Sequence, residues 1–271
     1  MFLNKKAITK IALMSGAYIL LSILCLGTGI AFSILFGEAD TLIPLGIVCF
    51  CLGISFIFWG RFAEGKGKLL AKGNKLIYQQ LHPAEFIALY EEKRDDPTNV
   101  VAKPDFDVFQ MLLSAYLCTD SKDKALETLE QMLVTAPAKK IPLAKLSKVS
   151  ILYDLGSIEE ANILYEEMLN APLNGAAKYF LDCVAKSDRA MALGDYVTAE
   201  AYYKQALTRT FPKSSPLALV LYHANLANLY LATDRPEDAL PHLKYCIENG
   251  GETSMRYKAA NQLRELTADQ H

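Results

Sequence analysis

The chain has 271 residues, a formal net charge of −2 and 52% hydrophobic residues, and its mean hydropathy is +0.14. That length allows one or two domains, and the near-neutral charge excludes a basic field that would recruit nucleic acid through its phosphates. The apolar excess is concentrated ahead of residue 62.

Ile11 to Phe36 is a run of 26 residues without a charge, and Leu42 to Gly60 is a second of 19. As a helix the first would reach about 39 Å, against roughly 30 Å of bilayer hydrocarbon. Only Gly37-Glu38-Ala39-Asp40-Thr41 separates the runs, so they predict an antiparallel transmembrane hairpin. A cleaved signal peptide is the rival reading, because Lys5, Lys6 and Lys10 precede the first run. The run is too long for that, and a second span follows at once. The same lysines, with Arg61, Lys66, Lys68, Lys72 and Lys75 after the second run, face a connecting loop that holds Glu38 and Asp40 and no base. The positive-inside rule then predicts both termini in the cytoplasm, a topology suited to a bacterial cell membrane. Trp59 and Phe62 suit an interfacial anchor. Neither run holds an Asp, Glu, Lys, Arg or His, one of which an ion pathway normally needs, so the hairpin reads as an anchor. The basic residues after it are expected against anionic lipid headgroups, each contributing about 1 kcal/mol.

Cys25, Cys49 and Cys51 lie in these runs, and Cys118, Cys183 and Cys246 are scattered singly through helical patterns. No CxxC or disulfide spacing appears, which suits a reducing compartment. His82, His223, His242 and His271 pair with no cysteine at ligand spacing, so no metal and no cofactor are expected. Gly67 to Leu81 and Ala84 to Arg94 predict a juxtamembrane helical hairpin around Pro83, with Phe86, Leu89 and Tyr90 on its apolar face, acting as a half-repeat or cap. Asp95 to Asp105 reads as a linker.

Beyond residue 106 the pattern is helical and self-similar. Ala125, Ala161, Ala199 and Ala239 step by 36, 38 and 40 residues. Four residues after each comes Leu129, Tyr165, Tyr203 or Leu243; nine before comes Tyr116, Leu152, Ala190 or Tyr230. A turn-like segment intervenes each time: Asp120-Ser121-Lys122-Asp123, Gly156-Ser157, Gly194-Asp195 and Thr233-Asp234-Arg235-Pro236. With Phe109, Leu112 and Pro137 in the first unit and Leu226 and Ala227 in the fourth, this resembles the tetratricopeptide repeat. His223 replaces that pattern's opening aromatic, Lys186 a leucine, and Lys145 and Lys148 occupy apolar positions. The resemblance covers roughly residues 106 to 250 and implies an all-α fold, a solenoid of about four helix pairs that bury their apolar faces by stacking. Glu252 to Ala268 predicts a capping helix with Met255, Ala259, Leu263 and Leu266 on one face. The predicted organisation is therefore a transmembrane hairpin over 1–62 (spans about 11–36 and 42–60), a juxtamembrane hairpin and linker over 63–105, and the solenoid over 106–271.

No phosphate-binding loop, dinucleotide fingerprint, zinc-protease motif or nucleophile elbow is present, so no enzyme is expected. The resemblance implies a concave groove lined by the first helix of each pair. Its candidate residues are Gln110, Ser114 and Leu117; Ser147, Ser150 and Tyr153; Asp188 and Met191; and Asn225, Asn228 and Leu231. Side-chain amides such as those of Asn225 and Asn228 can both donate to and accept from a peptide backbone. The basic half of the carboxylate clamp used by chaperone-binding relatives is missing. The expectation is a membrane-anchored scaffold or adaptor for a protein or peptide partner. One alternative is a subunit of an integral-membrane complex or transport system whose hairpin is the functional part. The other is an extracytoplasmic assembly or chaperone factor, if the topology is inverted.

Overall fold

The computed structural model describes residues 48, 51, 54, 55, 65–95, 105–173, 175–208 and 215–268. They are helical apart from turns and connections, with no strand among them. Two compact units make up the chain, one of residues 1–71 and 93–102, the other of 72–92 and 103–271. Of the two uncharged runs only Val48, Cys51, Ile54 and Ser55 are described; they are helical, and Ser55 Oγ donates to the Cys51 carbonyl at 2.8 Å. The predicted spans otherwise lie outside the described residues. No helix among the described residues is long and apolar enough to cross a membrane.

In chain order the helices are α1 (Pro83–Asp95), α2 (Phe106–Cys118), α3 (Lys122–Thr135), α4 (Ile141–Asp154), α5 (Ile158–Leu169), α6 (Gly175–Phe180), α7 (Lys186–Ala192), α8 (Tyr196–Thr208), α9 (Pro216–Ala232), α10 (Pro236–Asn249) and α11 (Ser254–Ala268). A π-helical turn, Asn74–Gln79, comes before α1, and another, Leu181–Ala185, joins α6 to α7.

Four tight turns share one bond pattern. Asp120, Gly156, Gly194 and Asp234 each take a left-handed conformation, with φ between 56° and 76°. The N–H of the next residue reaches back to close the first helix: Ser121 to Tyr116, Ser157 to Leu152, Asp195 to Ala190 and Arg235 to Tyr230, at 2.8–2.9 Å. This is the Schellman closure, which satisfies carbonyls a helix end would leave unpaired. Glycine adopts the left-handed region without strain, and aspartate is among the few other residues that visit it. The residue after the turn starts the second helix, its carbonyl accepting from the N–H of Ala125, Ala161, Ala199 or Ala239 at 3.0–3.3 Å. All four alanines are 0% exposed. Their single methyl lets α3, α5, α8 and α10 lie close against α2, α4, α7 and α9, the helices they pack on. Leu129, Tyr165, Tyr203 and Leu243 are buried one turn further on.

Successive pairs touch in order: α3 packs on α4, α4 on α6 and α7, α8 on α9, and α10 on α11. The residues that depart from the repeat pattern are absorbed locally. Lys145 and Lys148 lay their stems along α4 and pair with Glu167 at 2.5 Å and Glu160 at 3.0 Å on α5, while Leu146 and Val149 take the buried places. Long basic side chains do this by burying methylenes and keeping the charge wet. Lys186 pairs with Asp182 at 2.8 Å across the π turn. His223 stacks on Tyr245 with ring centroids 3.8 Å apart, so α10 supplies the aromatic surface that the pattern expects on α9. In α11, Ala259 is buried and Met255, Leu263 and Leu266 are half-buried.

The segment ahead of α1 reaches further than a terminal cap. Residues 65–73 are helical and pass into the π turn Asn74–Gln79, which packs on both α2 and α9. Leu76, Ile77 and Phe86 are buried. A Cβ at Gly73 would lie 2.6 Å from the Phe86 ring and 2.7 Å from Met111 Sδ, so only hydrogen fits at that crossing.

Candidate partner groove

The candidate groove residues fall on the first helix of each pair, and their surroundings differ sharply. On α2, Gln110 and Ser114 are half-buried and Leu117 is exposed. Ser114 Oγ lies 2.9 Å from Tyr78 Oη and also donates to the Gln110 carbonyl at 3.1 Å. The chain's own π turn therefore covers this part of the face. On α4, Ser147 Oγ donates to the Leu143 carbonyl at 3.1 Å. Tyr153 is buried, and its hydroxyl donates to Asn162 Oδ1 on α5 at 2.8 Å, so it faces into its own helix pair. On α9, Asn225 and Leu231 are half-buried, and exposed Asn228 accepts from Gln262 Nε2 on α11 at 2.9 Å.

Ser150 and Asp188 are brought together. Ser150 Oγ is buried without a well-formed hydrogen bond, yet it sits close enough to ease the charge on Asp188 somewhat. Burial dominates and pushes the Asp188 carboxyl up to about 7, with Asp154 adding repulsion. Tyr203 and Tyr222 feel the same carboxyl, and burial raises both phenols well above their ordinary value. Ser187, 0% exposed, donates to the Val184 carbonyl at 2.7 Å. The middle of the array thus holds a carboxyl poised near neutrality among hydroxyls, with Met191 half-buried one turn further along α7.

A second polar cluster joins α8 to the α9–α10 turn. Glu200 accepts from Lys204 Nζ at 2.5 Å, Tyr230 Oη at 3.0 Å and Arg235 at 2.9 Å. Lys204 leads the donors that hold its carboxyl down at about 2. Nearby, His223 Nδ1 and His242 Nδ1 are 2.8 Å apart. Burial, then the neighbouring His242, lowers His223 to about 4. A small open pocket between α5, α7 and α8 is lined by Tyr165, Lys186, Arg189, Asp195, Thr198 and Tyr202. Lys186 is already paired with Asp182, and Arg189 donates to Asn162 at 3.3 Å and lies over the Tyr165 ring. Among the described residues no group of three His, Cys, Asp or Glu side chains could hold a metal ion.

Sequence reasoning missed the contacts that close the array. Glu252 N–H donates to the Leu81 carbonyl at 2.9 Å, His82 Nδ1 lies 3.1 Å from Glu252, and Lys258 pairs with Asp120 at 2.8 Å. The one local signal was the Gly250-Gly251 dipeptide before α11, which marks a tight approach without naming its partner. No family model matches this chain, no curated protein matches it, and no solved structure matches it.

Proposed function

We propose that the chain is a membrane-anchored, tetratricopeptide-like scaffold that holds a protein partner at the cytoplasmic face of a membrane. The observation that carries this reading is the repetition of one turn, bond for bond, at Asp120, Gly156, Gly194 and Asp234, each followed by a fully buried alanine. Units built so alike stack by the same faces, and a stack of helix pairs offers one continuous face made of their first helices. The polar groups on α4, α7 and α9 supply donors and acceptors there. The uncharged runs and flanking bases support the anchor. Tethering raises the local concentration of the array for membrane partners.

Two measurements test it. A photo-crosslinking side chain at Met191 should capture a discrete protein partner in cells; capture of lipid alone would remove the support for a protein groove. In intact cells an impermeant maleimide should label a cysteine placed at Ala39 and miss one near residue 270, and the reverse labelling would overturn the cytoplasmic placement.

A further inference from the structure

The geometry points to a groove that carries its own ligand: residues Asn74–Leu81 occupy the face between α2 and α9, and the Gly250–Thr253 turn clasps them there until a partner displaces them. This rests on the groove reading above and adds its regulation. The π turn packs on α2 and α9 together, and those two helices meet through it rather than through an extensive contact of their own. Within this turn Leu76 and Ile77 are buried at 4% and 0% exposure, and Tyr78 sets its hydroxyl on Ser114 of α2. The resident is thus a single helical turn presenting adjacent aliphatic side chains and a phenol. A displacing partner of the same chemistry, an amphipathic helix with two bulky aliphatics beside a tyrosine, would recover the burial that release gives up.

The hold is strained on one side and light on the other. Leu81 has φ 59°, a left-handed conformation that a branched, bulky residue adopts only under constraint. The constraint is visible. Gly251, itself at φ 56°, lies against Leu81 so closely that a Cβ would sit 2.5 Å from the Leu81 Cβ and 2.8 Å from its carbonyl oxygen. The remaining bonds of the clasp are few: Glu252 N–H to Leu81 and His82 to Glu252, the latter between substantially exposed side chains. π-helical turns are themselves uncommon and often accompany functional sites.

The test uses the full-length chain in detergent and a fluorescein-labelled peptide of its own residues 72–92. The Gly251→Ala variant should bind this peptide at least about tenfold more tightly than the wild type, because apparent affinity falls with the fraction of protein whose groove is open. Equal binding by both proteins overturns the proposal. Hydrogen exchange on the wild type decides the case even if the variant fails to fold: amides of 74–82 should exchange at least about tenfold faster than those in the middle of α2 and α9. Exchange at the common rate of those helices would make the segment fixed core and end the proposal. Crosslinking from Met191 separates the two readings: equal capture of a protein partner by wild type and Gly251→Ala overturns the clasp and leaves the groove standing, whereas greater capture by the variant supports both.

Discussion

The third and fourth helix pairs have the same turn and the same buried alanine, yet their first helices are built in opposite ways. α9 is one unbroken helix of 17 residues, started by Ser215 and by a proline at its first position. Val220, Leu226, Ala227 and Leu229 are all within 1% of complete burial. Its counterpart is broken into six residues of α6, five of π turn and seven of α7. There the buried positions are Ala177, Leu181, Cys183, Ala185, Ser187 and Ala190, and those from 181 to 187 are spaced too closely for one stripe of an α-helix. Both α4 and α8 pack on that helix. It absorbs the mismatch by widening one turn and accepts polar groups in its core. A repeat therefore keeps its turn and its alanine while its first helix varies, because the pair is defined where the two helices touch.

Cavity-forming substitutions should expose that difference most strongly. Leu226→Ala, in the close-packed α9, should cost about 3 kcal/mol in chemical denaturation. Leu181→Ala, at the start of a π turn that can relax into the gap, should cost about 1.5 kcal/mol. Equal losses would mean that the third pair is packed as tightly as the fourth. Overpacking should not discriminate between them: Ala199→Leu and Ala239→Leu both crowd the shared crossing, and each should lose about 2 kcal/mol. An unchanged melting temperature in either would contradict the close approach at the alanines.

The polar core of the third pair makes a prediction with a definite sign. Asp188 has a folded pKa of about 7, above its ordinary value of 3.8. Below pH 3.8 it is protonated in both states and has no effect on stability. As pH rises towards 7 the unfolded chain gives up the proton and the folded chain keeps it, so stability falls across that window and stays lower above it. Asp188→Asn should remove this slope and gain about 2 kcal/mol at pH 8, with little change at pH 3.5. If wild type and variant had parallel pH profiles, Asp188 would be an ordinary solvated carboxylate.

What could be read from the sequence follows from which contacts are local. Ala199 and Tyr203 announce themselves because the turn that positions them repeats at intervals of 36 to 40 residues, and four copies in register make each one legible. Tyr202, their neighbour, turned out to line a small pocket. The break at Leu181–Ala185 was hidden: a π turn needs no signature residue, and Lys186 showed only that the ordinary pattern fails. Phe86, Leu89 and Tyr90 declared an apolar face but not what it meets, and Leu76 and Ile77 gave no separate signal. Tyr78 reaches Ser114 across 36 residues of chain, and Lys258 reaches Asp120 across 138. Such pairings depend on how helices far apart in sequence pack together, which no single residue encodes. Periodicity assigned the candidate residues to the first helices, while the contacts that Asn74–Gln79 makes with α2 and α9 were not legible.

The fourth pair should show the opposite pH behaviour from the third, on a smaller scale. His223 is held at about 4, below its ordinary 6.5. Its contribution is complete above pH 6.5 and is lost as pH falls towards 4, because the unfolded chain takes up the proton first. His242 is lowered in the same direction. Glu200 is held at about 2, below 4.5. Its contribution is complete above pH 4.5 and is lost between 4.5 and 2. Acid titration of stability should therefore descend in two steps, with the Asp188 effect rising against them between pH 7 and 4. His223→Phe should shrink the upper step, leaving the share of His242, while keeping the stack on Tyr245, a change of about 1 kcal/mol at pH 4.5. Glu200→Gln leaves Lys204 and Arg235 without their shared carboxylate and should lose about 1 kcal/mol at pH 7. The two proteins should converge at pH 2. A loss that persisted there would mean that Glu200 acts through packing rather than charge, and the ionic link between the third and fourth pairs would have to be given up.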